Sequence, residues 1–256
     1  MTQTNITDAL YDAYKDNNAL QISEFRDSVI DDTQAYKVQK ESYLLRNEKV
    51  GGYKISLTSP ETQKMFSSNE PLFGNIGIQH ILKSPTLIDL STLNEPLIEV
   101  ELAFTAKEDI FAEDTPVTLL EKTSISGAIE IPDSRFKNWF PDLPKNLVIA
   151  DDAVGAYVIV GKQLNAKKFF PSDLSNITVE LFHNGNKVSS GRGSEVLNNP
   201  LNALSWLSKK LKTNNQIIKK GNVISTGTFL LPKKLLSGKW TAIFSNNLGD
   251  VNLTVK

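Results

Sequence analysis

The sequence predicts an α+β protein in which helices come first and a strand-rich body with inserted helices follows. Three observations lead there. An apolar stripe of helical period lies near the N-terminus, strict two-residue alternation surrounds residue 100, and an Asn-Gly pair separates two strand-like runs near residue 184.

Ile6, Ala9, Leu10, Ala13 and Tyr14 fall at i, i+3, i+4, i+7 and i+8, one face of a helix. A second helix is expected from near Asp32-Thr33, which can cap it, through Tyr36, Tyr43 and Leu44. Gly51-Gly52 is expected to stop that helix, because glycine is costly inside one and free to turn left-handed. A short strand, Tyr53 to Leu57, should follow. Ser59-Pro60 then opens another helix, with serine as cap and proline in the first turn.

From about residue 84 strands dominate. In Ile98-Glu99-Val100-Glu101-Leu102-Ala103-Phe104 the residues Ile98, Val100, Leu102 and Phe104 share one face. Residues 126–131 and 155–160 read as further strands. The runs 176–183 and 187–190 flank Asn184-Gly185, which suits a type I′ hairpin turn. Leu201, Leu204, Leu207 and Leu211 line a helix beginning near Pro200, and strands are expected around 223–225, 240–244 and 251–255. There is no internal repeat or clear linker. A helical N-terminal region over 1–84 and a strand-rich body over 85–256 are the expected divisions.

Composition narrows the chemistry. The chain of 256 residues is 40% hydrophobic and 22% charged, as in ordinary soluble proteins, and its net charge of -1 favours neither nucleic acid nor an anionic membrane. Lys209-Lys210 and Lys219-Lys220 are only short basic pairs, and Gly191-Arg192-Gly193 lacks the spacing of a phosphate loop. No stretch approaches eighteen consecutive apolar residues, and Met1-Thr2-Gln3-Thr4-Asn5 lacks the layout of a secretory leader, so a cytoplasmic location is expected. There is no cysteine, which excludes disulfides, thiolate nucleophiles and sulfur-ligated zinc. The two histidines, His80 and His183, are far apart and have no metal-type spacing. Catalysis would fall to carboxylates, lysine, hydroxyls or a hard metal.

Glu99 and Glu101, two apart on a strand, project from the same face and repel each other unless a cation lies between them. Glu130 sits among apolar residues in Gly127-Ala128-Ile129-Glu130-Ile131, and needs a partner there if it is buried. Three carboxylates with water suit Mg²⁺ or Mn²⁺ better than zinc or copper. The alternative left open by spacing alone is that Glu99 and Glu101 are the solvated face of a half-exposed strand.

Seven runs together resemble the 2-keto-4-pentenoate hydratases and the related 2-oxo-3-hexenedioate decarboxylases, a group of the fumarylacetoacetate hydrolase superfamily. They are Gly52-Tyr53-Lys54-Ile55-Ser56-Leu57-Thr58-Ser59, Glu70-Pro71-Leu72-Phe73-Gly74, Ile98 to Phe104, Ala128-Ile129-Glu130-Ile131-Pro132-Asp133-Ser134-Arg135, Ala150-Asp151-Asp152-Ala153, Asn199-Pro200-Leu201-Asn202-Ala203-Leu204 and Ser225-Thr226-Gly227-Thr228. The resemblance implies a twisted, barrel-like body of mixed strands with helices packed outside, and a homo-oligomer. It implies Glu99, Glu101 and Glu130 as ligands of Mg²⁺ or Mn²⁺, and a small 2-oxo or 2-hydroxydienoic acid as substrate, met in the catabolism of aromatic compounds. The expected reaction is addition of water to a 2-hydroxy-2,4-dienoate, giving a 4-hydroxy-2-oxo acid. A decarboxylase or a non-catalytic metal-binding relative is the alternative.

Lys54 matches the family lysine and is expected to hold substrate or shuttle a proton. Arg135 would clamp a substrate carboxylate, or else pair with Asp133 or another acid. Thr228 would bond a substrate oxygen, or else serve only its turn. Three positions depart from the family pattern. Ser56 replaces a glycine, Leu72 stands where an aspartate is usual, and Val154-Gly155 follows Ala153 where serines are usual. The last two remove polar groups from the expected active site.

Overall fold

The computed structural model describes residues 5–256. Met1 to Thr4, on which the leader expectation chiefly rests, lie outside the described residues. The helices are α1 (Ile6–Asp16), α2 (Ile22–Phe25), α3 (Asp32–Leu45), α4 (Pro60–Met65), α5 (Pro116–Glu121), α6 (Lys145–Ala150) and α7 (Pro200–Lys212). The first eight strands are β1 (Val50–Ser56), β2 (Leu72–Gly77), β3 (Ile81–Lys83), β4 (Thr86–Ile88), β5 (Leu97–Ala106), β6 (Thr123–Pro132), β7 (Gly155–Val160) and β8 (Leu164–Asn165). The remaining six are β9 (Thr178–His183), β10 (Asn186–Arg192), β11 (Val223–Thr228), β12 (Lys233–Lys234), β13 (Gly238–Phe244) and β14 (Gly249–Val255).

A nine-stranded mixed sheet runs β2-β1-β11-β5-β6-β7-β3, with β12 on β5 and β8 on β6, and curls into a half-barrel. Its β1–β11 and β3–β7 pairs are parallel. A five-stranded sheet, β10-β9-β13-β14-β4, packs against it. Val100, Leu102, Phe104 and Ile129 of the large sheet share one core with Leu181, Trp240 and Phe244 of the small sheet and Leu204 and Leu207 of α7. Each such fully buried side chain contributes about 1.5–3 kcal/mol. A second apolar cluster joins α1, α3 and α6 through Leu10, Val38 and Leu147, and includes Trp139.

Most elements lie where the sequence places them. The Asn184-Gly185 turn has φ of 49° and 80°, as a type I′ turn requires. Ser59 caps α4 in a reciprocal box with Thr62. Two readings need correction. Asp31, not Asp32 or Thr33, caps α3, accepting from Gln34 N at 2.8 Å. That helix ends at Leu45, and Gly51-Gly52 lies inside β1. Gly52 is there for a close approach: a Cβ would stand 1.8 Å from the Val223 carbonyl oxygen across the β1–β11 pair. β1, β2 and β3 belong to the same sheet as β5 to β7.

Candidate functional site

The centre of the large sheet places the carboxylates. Strand β5 lies between β11 and β6, and its register sets Glu99 opposite Glu130 and Glu101 opposite Thr228. That face of β5 is not an open solvated one: Glu101 is 1% exposed and Glu99 is half-buried, and Glu130 on the neighbouring β6 is 0% exposed. One oxygen from each of Glu99, Glu101 and Glu130 lies within 4.8 Å of the others. Small neighbours on that side, Ala103 and Ala128, leave room for the three side chains.

Neither Glu101 nor Glu130 is fully satisfied. Glu101 Oε2 accepts from Ser225 Oγ at 2.6 Å and from Gly227 N at 2.8 Å. Gly227 can offer that N–H because its φ of +108° suits glycine, and a Cβ there would stand 2.1 Å from Thr58 Oγ1. Glu101 Oε1 has no partner, and neither does Glu130 Oε2. Glu130 Oε1 lies 2.7 Å from Lys54 Nζ, in an ion pair without the alignment of a hydrogen bond.

Lys54, 1% exposed, reaches the cluster from β1. It donates to Ser56 Oγ at 2.6 Å and to Ala153 O at 3.0 Å. That carbonyl is presented by a left-handed turn in which Asp152, Ala153 and Val154 have φ of 56°, 52° and 52°, a conformation costly for β-branched valine. Burial alone would depress the lysine, but the charges of Glu130, Glu99 and Glu101 override it and hold Lys54 above its ordinary value. Burial, then the Glu130 charge, push Glu99 up to about 8, with Lys54 opposing. Burial, Glu130 and Glu99 raise Glu101 in the same way, against Ser225 and Lys54.

The residues fit a divalent cation. Once their protons are displaced, three carboxylates and one ammonium leave two uncancelled negative charges, and the buried partnerless oxygens of Glu101 and Glu130 are the donors such an ion takes. The same set could hold Mg²⁺ or Mn²⁺ through oxygen alone.

The other expected site residues are placed differently. Arg135 does not line the cavity that holds Lys54 and Glu99. Its guanidinium pairs with the carboxylate and carbonyl of Asp151, and donates to Asp133 O at 2.9 Å and Gly155 O at 3.0 Å. Its guanidinium is thus engaged in the ion pair that the sequence offers as the alternative. Thr228 does line the cavity, but its hydroxyl is engaged by Leu230 O at 2.7 Å. His80 and His183 lie outside it, His80 beside Tyr14 and Glu48, His183 stacked on Trp240. Leu72 is buried in the apolar cluster and pairs with Ser56 in the β1–β2 ladder.

Comparison with known proteins shows the family and the fold. A 2-keto-4-pentenoate hydratase of Burkholderia vietnamiensis (strain G4 / LMG 22486) is 32% identical over 230 residues, 88% of this chain and 86% of the relative. The chain belongs to the 2-keto-4-pentenoate hydratase family. These are lyases, and this chain is also similar to solved structures. The 4-oxalocrotonate decarboxylase from Pseudomonas putida G7, complexed with magnesium and adipate, superposes with a TM-score of 0.89 over 98% of this chain and 96% of its own, at 22% identity. A protein of Yersinia pestis CO92 described as a fumarylacetoacetate hydrolase family member gives 0.61 over 82% and 95%, at 14% identity. The fold is thus that of the fumarylacetoacetate hydrolase superfamily. No family model matches the chain.

Residue-level reasoning missed Ser225 and Gly227 as partners of Glu101, and Ala153 as a partner of Lys54. The runs Ser225 to Thr228 and Ala150 to Ala153 were the only signal, and they carried no pairing.

Proposed function

We propose that this chain is a divalent-metal-dependent hydratase that adds water to a 2-hydroxy-2,4-dienoate of the 2-keto-4-pentenoate type, giving a 4-hydroxy-2-oxo acid. The observation that carries the reading is the buried triad Glu99, Glu101 and Glu130, with partnerless oxygens beside an ion-paired Lys54. The three carboxylates would hold Mg²⁺ or Mn²⁺. Bound there, the ion supplies Lewis acidity toward the C1 carboxylate and C2 oxygen of the substrate.

The chain's own groups handle the protons. In the overall change one proton goes to C5 as the C2 hydroxyl proton is released, and water then places OH on C4 and H on C3. Lys54 stays an ammonium beside three carboxylates, so it acts as a proton donor and a fixed positive charge, not as a free base. Ser56 Oγ accepts from Lys54 Nζ at 2.6 Å and also lines the cavity. Its own hydroxyl proton is then available to the substrate side. This relay stands at the residue paired with Leu72, and so supports proton transfer without the usual aspartate. Thr228 serves its turn, and Arg135 with Asp151 positions the strand end that follows Glu130.

No helix of the described residues is long and apolar enough to cross a membrane. A cytoplasmic enzyme of aromatic-compound catabolism, free of nucleic acid and membrane, fits the reading. So does a homo-oligomer, for which exposed Ile30, Leu44, Ile78 and Phe170 offer apolar surface.

The test is loss of ultraviolet absorbance of 2-hydroxypenta-2,4-dienoate with Mg²⁺ or Mn²⁺, repeated with chelator, and identification of the product. Metal-dependent formation of the 4-hydroxy-2-oxo acid supports the reading. No turnover of the dienoate, with carbon dioxide released from a 2-oxo diacid, would replace it with the decarboxylase.

A further inference from the structure

The carbonyl that Lys54 uses belongs to a turn that the backbone does not favour. Asp152, Ala153 and Val154 are all left-handed, and three such non-glycine residues in a row persist only where their surroundings hold them. Ala153, the middle one, is fully buried, and its O accepts from Lys54 Nζ at 3.0 Å.

The turn is held from both sides. Val154 O accepts from Asp133 N at 2.7 Å, just past the end of β6. Asp152 Oδ1 accepts from Asn75 N at 2.8 Å and from Asn75 Nδ2 at 3.0 Å, so β2 grips it twice. Gly74 lets that strand come close, since a Cβ there would stand 2.0 Å from Asp152 O. The second carboxylate oxygen, Oδ2, has no hydrogen bond and faces Arg46 Nη1 at 3.4 Å.

Arg46 is the residue after the last turn of α3, and its side chain is as deeply covered as the acid it faces: 6% exposed against 2%. Its guanidinium lies over the Tyr14 ring, 4.2 Å from the centroid, which fixes its plane. Burial pushes the Asp152 carboxyl up, and Arg46 is the strongest group opposing that. The guanidinium of Arg135, the other cation nearby, is engaged by Asp151. Neither Arg46 nor Asp152 lines the cavity beside the carboxylates, so neither touches what that cavity holds.

We infer that Arg46 is a positioning residue for Lys54: through Asp152 it holds the 152–154 turn, and the turn's Ala153 carbonyl keeps the ammonium aimed between Ser56 and Glu130. Lysine carries three N–H donors on a flexible stem. Here Ser56 Oγ, Ala153 O and Glu130 Oε1 stand 2.6, 3.0 and 2.7 Å from Nζ. Without Arg46, Asp152 is a buried charge with no counter-charge, and the strained turn relaxes to relieve it. The Ala153 carbonyl then leaves Nζ, which swings free of its other two partners' geometry. The catalytic value of that aim rests on the hydratase reading; the aim itself does not.

Two readouts on Mg²⁺-loaded protein test it, one of them independent of turnover. An ammonium held in a closed site exchanges its protons slowly with water, so ¹⁵N-lysine labelling should show a Lys54 ammonium signal by NMR, assigned by its absence in Lys54→Met. Arg46→Met should broaden or erase that signal and lower kcat for 2-hydroxypenta-2,4-dienoate by about tenfold or more, the scale of a displaced catalytic group. KM and Mn²⁺ affinity should stay within about twofold, because the carboxylates and the cavity wall are untouched. Adding Asp152→Asn to Arg46→Met removes the stranded charge and should restore most of both the signal and kcat. Asn75→Ala, which loses one hydrogen bond to Asp152 and strands no charge, should act in the same direction and serves if Arg46→Met does not fold. No slow ammonium signal in the wild type, an unchanged signal in the variants, no rescue by Asp152→Asn, or a matching loss of Mn²⁺ affinity would each overturn the inference. A wild type that fails to turn over the dienoate overturns the hydratase reading, and the ammonium signal still decides the positioning.

Discussion

Lys54 and Glu130 meet 2.7 Å apart, one from β1 and one from β6, although two strands, β11 and β5, separate them in the sheet. The curl of the half-barrel brings them together, and the charges of Glu99 and Glu101 lie beside the pair. Such a buried pair costs desolvation, so its value lies in what breaking it would leave behind.

Removing the lysine should therefore act on stability and turnover together. Lys54→Met leaves Glu130 buried without its counter-charge, and metal-free protein should lose about 3–5 kcal/mol in urea unfolding. Its kcat should fall by about a hundredfold or more, the scale of a lost proton donor. Retention of both would sink the assigned role.

Metal-free protein should lose stability as pH rises. Burial and the Glu130 charge raise Glu99 from 4.5 to about 8. Between those values the folded chain keeps a proton that the unfolded chain has released, so stability is highest below the lower value and declines toward the upper one. A divalent ion takes the place of the proton. Melting temperatures with chelator should fall from about pH 5 to 8, and the gain on adding Mn²⁺ should grow over the same range. A metal-free melting temperature that rises there would contradict the account.

Ser56→Ala tests the relay. It removes the hydroxyl 2.6 Å from Lys54 Nζ without touching the carboxylates. Its kcat should drop about tenfold to a hundredfold with KM little changed, and Ser56→Thr should restore most of it. An unchanged kcat in the alanine variant would exclude the relay.

Arg135→Lys separates positioning from substrate binding. Lysine cannot reproduce the fork held by Asp151, Asp133 and Gly155, so about 2–4 kcal/mol of stability should be lost. KM, measured on the folded fraction, should stay within about twofold, because a group that does not touch substrate does not set its ground-state binding. A KM raised more than about tenfold would restore the clamp.

How far the sequence reached follows from the kind of signal each residue carries. The alternation of Ile98 to Phe104 has a period of two, so it located β5 and put Glu99 and Glu101 on one face. It could not say that the other side of that face is also covered, because burial there comes from strands distant in sequence. Gly51-Gly52 shows the limit of local signals: two glycines look alike whether they end a helix or admit a neighbouring strand, and only Val223 distinguishes the cases. Ser225, Gly227 and Ala153 act through backbone and hydroxyl contacts to partners at least 99 residues away. Trp139 and Phe140 lie in an irregular segment with no periodicity to read, and their place in the cavity wall is a tertiary fact.

Mn²⁺ titration followed by electron paramagnetic resonance, on the wild type and on Glu101→Gln and Glu130→Gln, tests the central claim most directly. One bound ion per chain in the wild type, with affinity lost by tenfold or more in each folded variant, is the predicted result; the factor is of the order expected for losing one charged ligand. Equal Mn²⁺ binding by the wild type and both variants would show that these carboxylates do not form the metal site.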